Sequence, residues 1–210
     1  MPKAIYAIKE AKEKGTGRKF TQSIDLVVSV RHLDLKKAEN KFSLEVMLPS
    51  GRGKKARVGV IGSNLAIKAK GVADVILNEK EFGELERDPK KVRIFSQSVD
   101  FVVAEAPLMM RIGKSLGKVL GPRGKMPKPL PPHADATPVI NKLKETVKVS
   151  LKENPTISCT IGTEKMSDDD LLKNLTALLS SLEKKFPLGK QNMKEVLVKA
   201  TMGPPVKVDY

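Results

Sequence analysis

The chain has 210 residues, 40% of them hydrophobic, which is enough for one large or two small domains with buried cores. Its 39 lysines and arginines exceed its 24 acids and give a net charge of +15, which favours a polyanionic partner. The longest apolar runs are a few residues, and the charged N-terminus lacks a signal-peptide core. We therefore expect a cytoplasmic protein with no membrane partner. A single cysteine, Cys159, excludes an internal disulfide and a cysteine-based zinc cluster, and we predict no metal and no cofactor.

Aromatic residues make up only 4% of the chain, and there is no tryptophan. Proteins that read single strands by base stacking use several exposed aromatic side chains. The composition therefore favours phosphate, 2′-hydroxyl and shape contacts to a folded RNA. An acidic membrane surface is the alternative polyanion, but the sequence contains no basic amphipathic helix that would bind one.

The first quarter of the chain predicts one helix and two strands. Helical spacing runs from Pro2 to Lys14 and stops at Gly15. Residues Ser23–Val30 alternate between an apolar face and a face of short polar side chains, which suits close approach of another backbone. The alternation returns at Phe42–Leu48, and we predict that this second strand pairs antiparallel with the first.

A glycine-rich basic break at Pro49–Lys55 precedes a different pattern, in which short apolar strands alternate with helices. Such strands, buried on both faces, predict a parallel sheet covered by helices. The predicted strands are 57–61, 75–77, 98–104 and 147–151, and the predicted helices are 65–69, 79–87 and 137–144. Asp88-Pro89 is interpreted as the end of the middle helix.

Asn154-Pro155 marks a second boundary, after which a strand, a helix and a strand follow. Ser167 is predicted to cap the helix, and the three aspartates after it are interpreted as complementing the helix dipole rather than binding a metal. The terminal segments are each too small for a core, so we predict that 1–55 and 152–210 form one four-stranded α+β sandwich. Residues 56–151 are predicted to be an α/β domain inserted into it, with hinges near Gly51–Lys55 and Ser150–Pro155.

The stretch Gly113–Pro129 is rich in glycine and proline and contains no acid. It predicts a short apolar helical turn followed by an irregular loop at Gly121–Pro129, which could present cations to an anion. The spacing matches no phosphate-binding loop of nucleotide hydrolases. A plain solvated loop is the alternative. The candidate cations are Lys114, Lys118, Arg123 and Lys125.

Three motifs resemble the large-subunit ribosomal protein one family, in its short archaeal-type form. They are LGKVLGPRGKMP at 116–127, ATMGP at 200–204 with a following VKV, and KFTQSIDL at 19–26. The resemblance covers nearly the whole chain in order. It implies a split βαβ-type domain made from both termini and an inserted Rossmann-like domain.

The resemblance also implies a non-catalytic protein that binds large-subunit ribosomal RNA as a monomer within the ribosome. It implies a mobile lateral stalk near the tRNA exit site, contact with departing tRNA, and repression of the protein's own mRNA. Carried over by position, the RNA-binding residues are Phe20, Ser23, Asp25, Thr201, Met202 and Gly203. We add Ser29 and Lys36 from strand face and charge, and leave out Glu195, where many relatives have serine.

Blander interpretations stay open at two of these positions. Phe20 could pack in a core, and Gly203-Pro204 could be a plain turn. A nucleotide-using enzyme is the main alternative function, but the chain has only two histidines, His32 and His133, and neither lies in a catalytic pattern. A nonspecific basic RNA chaperone is the third class, which competition with unrelated RNA would distinguish.

Overall fold

The computed structural model describes residues 2–209, and the side chains of all but three of these (Pro2, Lys3 and Ala38). The chain divides into two compact units. We call Met1–Lys55 with Glu145–Tyr210 the terminal unit, and Ala56–Lys144 the inserted unit.

The described residues form eight α-helices and ten strands, joined in three places by short 3-10 turns. The helices are α1 (Pro2–Gly15), α2 (Asn64–Lys68), α3 (Glu79–Arg87), α4 (Pro89–Ser98), α5 (Met109–Ser115), α6 (Gly117–Leu120), α7 (Thr137–Lys144) and α8 (Asp168–Lys185). The strands are β1 (Ser23–Val30), β2 (Phe42–Met47), β3 (Val58–Ile61), β4 (Val75–Leu77), β5 (Phe101–Glu105), β6 (Lys128–Leu130), β7 (Thr146–Leu151), β8 (Thr156–Thr163), β9 (Met193–Ala200) and β10 (Val206–Lys207). The mixed α/β class predicted from the sequence is confirmed.

The main sheet of the terminal unit is antiparallel, with strand order β10-β9-β1-β8. Every second residue of β1 is buried, and these residues share one core with the leucines of α8 and the inner side of α1. Each fully buried leucine contributes about 1.5–3 kcal/mol relative to exposure. The two helices are also joined by Lys12, whose ammonium lies 2.5 Å from Asp168 Oδ1 and donates to Met166 O at 2.7 Å.

The predicted pairing of β2 with β1 is wrong. Strand β2 pairs antiparallel with β7, from Phe42 opposite Leu151 to Met47 opposite Thr146. The buried side chains Val46, Val147 and Val149 join the core of the terminal unit, which is why both strands belong to that unit. The domain boundary therefore lies at Lys144–Glu145 instead of after residue 151. The hinge predicted near Ser150–Pro155 falls inside the terminal unit.

The inserted unit contains a parallel sheet with strand order β4-β3-β5-β6. One apolar cluster lies beneath α3 to α6 and includes Phe82, Phe95 and Ile112. A second cluster, including Leu65 and Ile140, lies beneath α2 and α7. The sheet is thus covered by helices on both faces, as its short apolar strands indicate.

Three elements of the inserted unit were missing from the sequence prediction: α4, α5 and β6. Pro89 does not end the helical region but begins a second helix, since Asp88 Oδ1 accepts a hydrogen bond from Lys90 N at 2.9 Å and caps α4. Ser98 ends α4 instead of starting a strand. The loop predicted at Gly121–Pro129 ends earlier than expected, because Lys128–Leu130 forms strand β6 and pairs with β5 from Val103 to Glu105.

Candidate nucleic-acid interface

The outer face of the terminal sheet carries mainly short polar side chains. Ser23, Asp25 and Ser29 of β1 alternate with the buried residues and are partly exposed. Their neighbours across the strands are also polar: Thr160 and Lys199 flank Asp25, and Thr156 and Glu195 flank Ser29. Such a face allows a partner backbone to approach closely.

Thr201 lies at the end of this face, immediately after β9, and is bonded to the start of β1. Its hydroxyl accepts a hydrogen bond from Ser23 N at 3.2 Å and donates one to Ser23 O at 3.0 Å. The Thr201 N–H also donates to Ser23 O at 3.0 Å. Because a hydroxyl oxygen has two lone pairs, the exposed Thr201 oxygen keeps one acceptor site for a partner.

Gly203 is buried where the chain turns back toward β10. A Cβ added there would lie 3.3 Å from Gly15 Cα and 3.3 Å from Ala200 Cβ. Gly15 is under the same constraint, because its added Cβ would lie 2.5 Å from Ala200 Cβ. The two glycines therefore allow the end of α1 and the turn after β9 to meet at close range. A plain exposed turn would not require this.

Gln22 is a residue of this cluster that the sequence interpretation missed. Its buried side-chain amide donates to Gly15 O, and its oxygen accepts from Met202 N at 3.0 Å. It thereby holds the end of α1 to the turn after β9. Gln22 belongs to the 19–26 motif, but the motif does not indicate whether its side-chain amide binds RNA or holds the fold together.

Phe20 and Met202 expose apolar side chains at this end of the sheet, at 52% and 58%. The alternative that Phe20 packs in the core is therefore wrong. Covering an exposed phenylalanine or methionine with a partner removes apolar surface from water and stabilises the complex. Both side chains can lie against sugar or base surfaces.

Asp25 lies two residues after Ser23, on the same face of β1, and is hydrogen-bonded within the sheet. Thr160 Oγ1 donates to Asp25 Oδ1 at 2.9 Å.

On the inner face, burial, together with the nearby charge of Asp25, raises the pKa of the Cys159 thiol to about 12. Cys159 is therefore a neutral, packed thiol at physiological pH.

Two predicted residues lie apart from the others. Ser29 is six residues along β1 from Ser23, which is roughly 20 Å at the rise of a strand. Lys36 lies beyond the end of β1 in an exposed loop, where its N–H donates to Asp34 Oδ1 at 3.0 Å. The structure thus brings together Phe20, Ser23, Asp25, Thr201, Met202 and Gly203, which we call the β1–β9 end cluster.

The second predicted site, the basic loop, divides into two pairs of residues. Arg123 Nη1 donates to Ser96 Oγ at 2.5 Å, and Lys125 Nζ donates to Ser96 O at 3.0 Å and Val99 O at 2.7 Å. Lys125 therefore binds carbonyls at the C-terminal end of α4, where a cation complements the helix dipole. Lys114 and Lys118 are exposed.

The carboxyl ends of β3 and β5 meet at the point where α/β sheets of this kind bind nucleotides. Here a buried carboxylate of the chain occupies that position. Glu105 Oε1 accepts a hydrogen bond from Leu65 N at 2.9 Å, and a Cβ at Gly62 would lie 2.6 Å from the Glu105 carboxylate. Gly62 thus leaves room for Glu105 rather than for a pyrophosphate, which argues against a nucleotide-using enzyme.

The three aspartates after Ser167 belong to the helix terminus. Ser167 Oγ accepts from Asp170 N at 3.1 Å, and its own hydroxyl hydrogen bond lowers the pKa of Asp170. In the part of the chain that the structure describes, no group of three histidine, cysteine or acidic side chains is arranged to hold a metal ion. Among residues 2–209, no helix has the length and apolarity needed to span a bilayer.

The fold and the end cluster together are those of a small, basic, two-unit protein with a polar sheet face, a class that includes RNA-binding ribosomal proteins. A profile of the Ribosomal protein L1p/L10e family matches residues 8–204, and the chain belongs to this family. Its resemblance to this family is therefore confirmed.

Individual relatives match the chain over almost its whole length. It is 44% identical over 207 residues to the large ribosomal subunit protein uL1 of Methanobrevibacter smithii, covering 97% of each chain. It is 43% identical over 208 residues to the protein of the same name from Pyrococcus abyssi, covering 98% of this chain and 95% of the relative. Both relatives are named as large ribosomal subunit proteins, the class that the sequence predicts for this chain.

Proposed function

We propose that the protein is a structural constituent of the large ribosomal subunit and binds a folded segment of its ribosomal RNA through the β1–β9 end cluster. The observation that carries the proposal is the combination of exposed Phe20 and Met202 with the Thr201 hydroxyl on one end of an open sheet. The relatives named as large ribosomal subunit proteins supply the kind of RNA.

Recognition at this site would depend on shape and hydroxyl groups more than on charge. Ribose 2′-hydroxyls can donate to the remaining lone pair of Thr201 and to Asp25, whose carboxylate would repel phosphates but accepts hydroxyl and base N–H donors. Gly203 contributes indirectly, because without a side chain it lets the turn that carries Thr201 and Met202 pack against Gly15. The net charge of +15 adds a sequence-independent attraction around this core of contacts.

The wider role follows from the same proposal. As a monomer in the subunit, the protein would form the mobile lateral stalk near the tRNA exit site, meet departing tRNA there, and repress its own mRNA when that message offers a similar RNA shape. The relatives' names support the ribosomal location, and the end cluster supports a single RNA site that two RNAs could share.

A competition experiment tests the proposal against a nonspecific RNA chaperone. We expect the full chain to bind the ribosomal RNA fragment of the lateral stalk, and a large excess of unrelated structured RNA to leave most of that complex intact at about 0.2 M salt. Equal competition by unrelated RNA would show that charge alone drives binding.

A further inference from the structure

The helical layer formed by α4, α5 and α6 in the inserted unit has an outer surface dominated by cations. Its apolar residues Phe95, Ile112 and Leu116 are buried against the sheet. The outward side chains include five exposed cations, and none of the five makes an ion pair with another residue that the structure describes. We call this set the α4–α6 basic face: Lys90, Lys91, Arg93, Lys114 and Lys118.

Acids nearby in sequence offset only part of the charge of this face. Residues 88–134 contain nine lysines and arginines but only three acids, Asp88, Asp100 and Glu105. Asp88 lies just before the face and accepts a hydrogen bond from Lys90 N at the start of α4. Asp100 Oδ2 accepts from Arg57 N at 3.1 Å at the start of β5, and Glu105 is buried at the end of β5. On the neighbouring helix α3, Glu86 lies 2.9 Å from Arg111, so its charge is already paired.

The arrangement of the face is fixed by hydrogen bonds from the loop after α6. Arg123 and Lys125 both donate to groups at the end of α4, so the loop holds α6 beside α4. Apolar side chains are exposed on the same elements, with Ile94 of α4 at 65% and Met110 of α5 at 77%. Lysines and arginines clustered on one face are the electrostatic footprint of nucleic-acid binding.

We propose that the α4–α6 basic face is a second RNA-binding surface, which contacts the phosphate backbone of double-helical RNA independently of the β1–β9 end cluster. Charge complementarity selects this partner, because five cations that make no ion pair with a described residue, held on fixed helices, match a regular array of phosphates. A lipid surface fits less well, since the apolar side of α4, with Val92 and Phe95, is buried in the core. The duplex could belong to ribosomal RNA or to tRNA.

The test uses the full chain and a pair of triple variants with the same change in net charge. The first replaces Lys90, Lys91 and Arg93 with glutamine. The control replaces Lys68, Lys70 and Lys142 with glutamine; Lys68 ends α2, Lys70 follows it, and Lys142 lies on α7, the helices of the opposite layer. Because Lys68 Nζ donates to His133 O at 2.7 Å, the melting temperature of the control is measured as well. The probe is a 20-base-pair RNA duplex of unrelated sequence, titrated between about 0.05 and 0.2 M salt.

We expect the first variant to bind the duplex at least about tenfold more weakly at 0.1 M salt, with a salt slope smaller by roughly two to three units. The control should change much less in both quantities. Equal losses in the two triples, or no loss in either, would overturn the proposal. If the first variant shows a lowered melting temperature, Lys114→Gln with Lys118→Gln is measured in its place and should show a slope smaller by about one to two units.

Two further arms separate this surface from the proposed function and identify the source of the duplex. Thr201→Val should weaken binding of the stalk ribosomal RNA fragment but leave duplex binding unchanged. One result would overturn only the proposed function: the chain does not distinguish the stalk fragment from unrelated RNA, but its binding to the duplex still depends on the cations of α4. Replacing the duplex by deacylated tRNA, and then by a helical segment of ribosomal RNA outside the stalk fragment, shows which RNA the basic face prefers.

Discussion

The hydroxyl of Thr201 is the residue-scale feature on which the proposed RNA site depends most. We expect Thr201→Val to reduce affinity for the stalk ribosomal RNA fragment by about 1–3 kcal/mol, because a hydroxyl desolvated against RNA is lost while the shape of the side chain is kept. The salt slope should stay unchanged, since no cation is removed. Filter binding across a salt series measures both quantities.

Thr156→Val is the matched control for this variant. Thr156 lies on the same outer face but pairs with Ser29 at the far end of β1. Thr156→Val should leave the affinity for the stalk ribosomal RNA fragment unchanged. Because Thr201 also bonds to Ser23, the stability of both variants must be measured by chemical denaturation. Unchanged affinity in a stable Thr201→Val protein would remove Thr201 from the site and weaken the role of the final strand.

Lys125, which is predicted to bind RNA, makes hydrogen bonds within the inserted unit. Its ammonium donates to Ser96 O and Val99 O, so we expect Lys125→Met to destabilise the chain by about 1–3 kcal/mol through the loss of charge-assisted hydrogen bonds. Lys118→Met, at an exposed position on α6, should change stability by less than about 0.5 kcal/mol. Thermal and urea denaturation of the two variants compare these effects directly. Equal stabilities would show that Lys125 does not hold α4.

At the scale of elements, the sequence predicts strands and helices better than their partners. The alternation at Phe42–Met47 correctly indicates a strand, but its partner β7 lies about 100 residues further along, and alternation does not specify a partner. Likewise Asp88-Pro89 ends α3 and begins α4 with no intervening loop, and the same two residues are compatible with a stop or a start.

In the candidate site too, the sequence predicts some residues but not their partners in space. The motifs that resemble a known family lead to Thr201 and Gly203, and the structure places these beside Ser23 and Gly15 through hydrogen bonds and close backbone contact. Gln22 could not be identified as a brace, because its role depends on Gly15 and Met202 being near it in space. Ser29 shares the face of Ser23, but strand alternation does not indicate how far along the strand the site extends.

Helix α8 anchors the segment that leads out of the terminal unit. Buried Asn174 donates to Gly51 O and Ile161 O, both at 2.8 Å, and accepts from Ser50 N at 3.0 Å. Gly53 is held as well, since an added Cβ would lie 2.6 Å from Thr163 Oγ1. The fixed part of this segment therefore extends to about Gly53, and a hinge in it is restricted to the residues that follow.

Replacing Asn174 by leucine tests this anchor. We expect a loss of about 2–4 kcal/mol in the free energy of unfolding, because three backbone groups lose their partner at a buried position. Lys173→Ala on the same helix removes only a partly exposed ion pair with Asp170 and should cost less than about 1 kcal/mol. Urea denaturation compares the two. Equal stability of Asn174→Leu and the parent chain would mean that these hydrogen bonds are replaced by water at no net cost.

At the scale of the whole molecule, charge does not single out one RNA-binding unit. Residues 56–144 carry 16 lysines and arginines against 9 acids, so the inserted unit holds nearly half of the net charge of +15. Specific binding must therefore be assigned to a unit by the geometry of its side chains and not by charge. The proposed assignment gives specific recognition to the terminal unit and backbone contact to the inserted unit.

Removing the inserted unit tests this central claim most directly. The corrected boundary sets the deletion at Ala56–Lys144, and a short glycine-serine linker can join Lys55 to Glu145, because Ala56 N lies only 3.2 Å from Lys144 O. We predict a cooperatively unfolding protein that binds the stalk ribosomal RNA fragment at about 0.2 M salt with less than roughly 2 kcal/mol lost, since peripheral phosphate contacts are weak there. A folded deletion variant that no longer binds the fragment would contradict the account and move the specific site into the inserted unit.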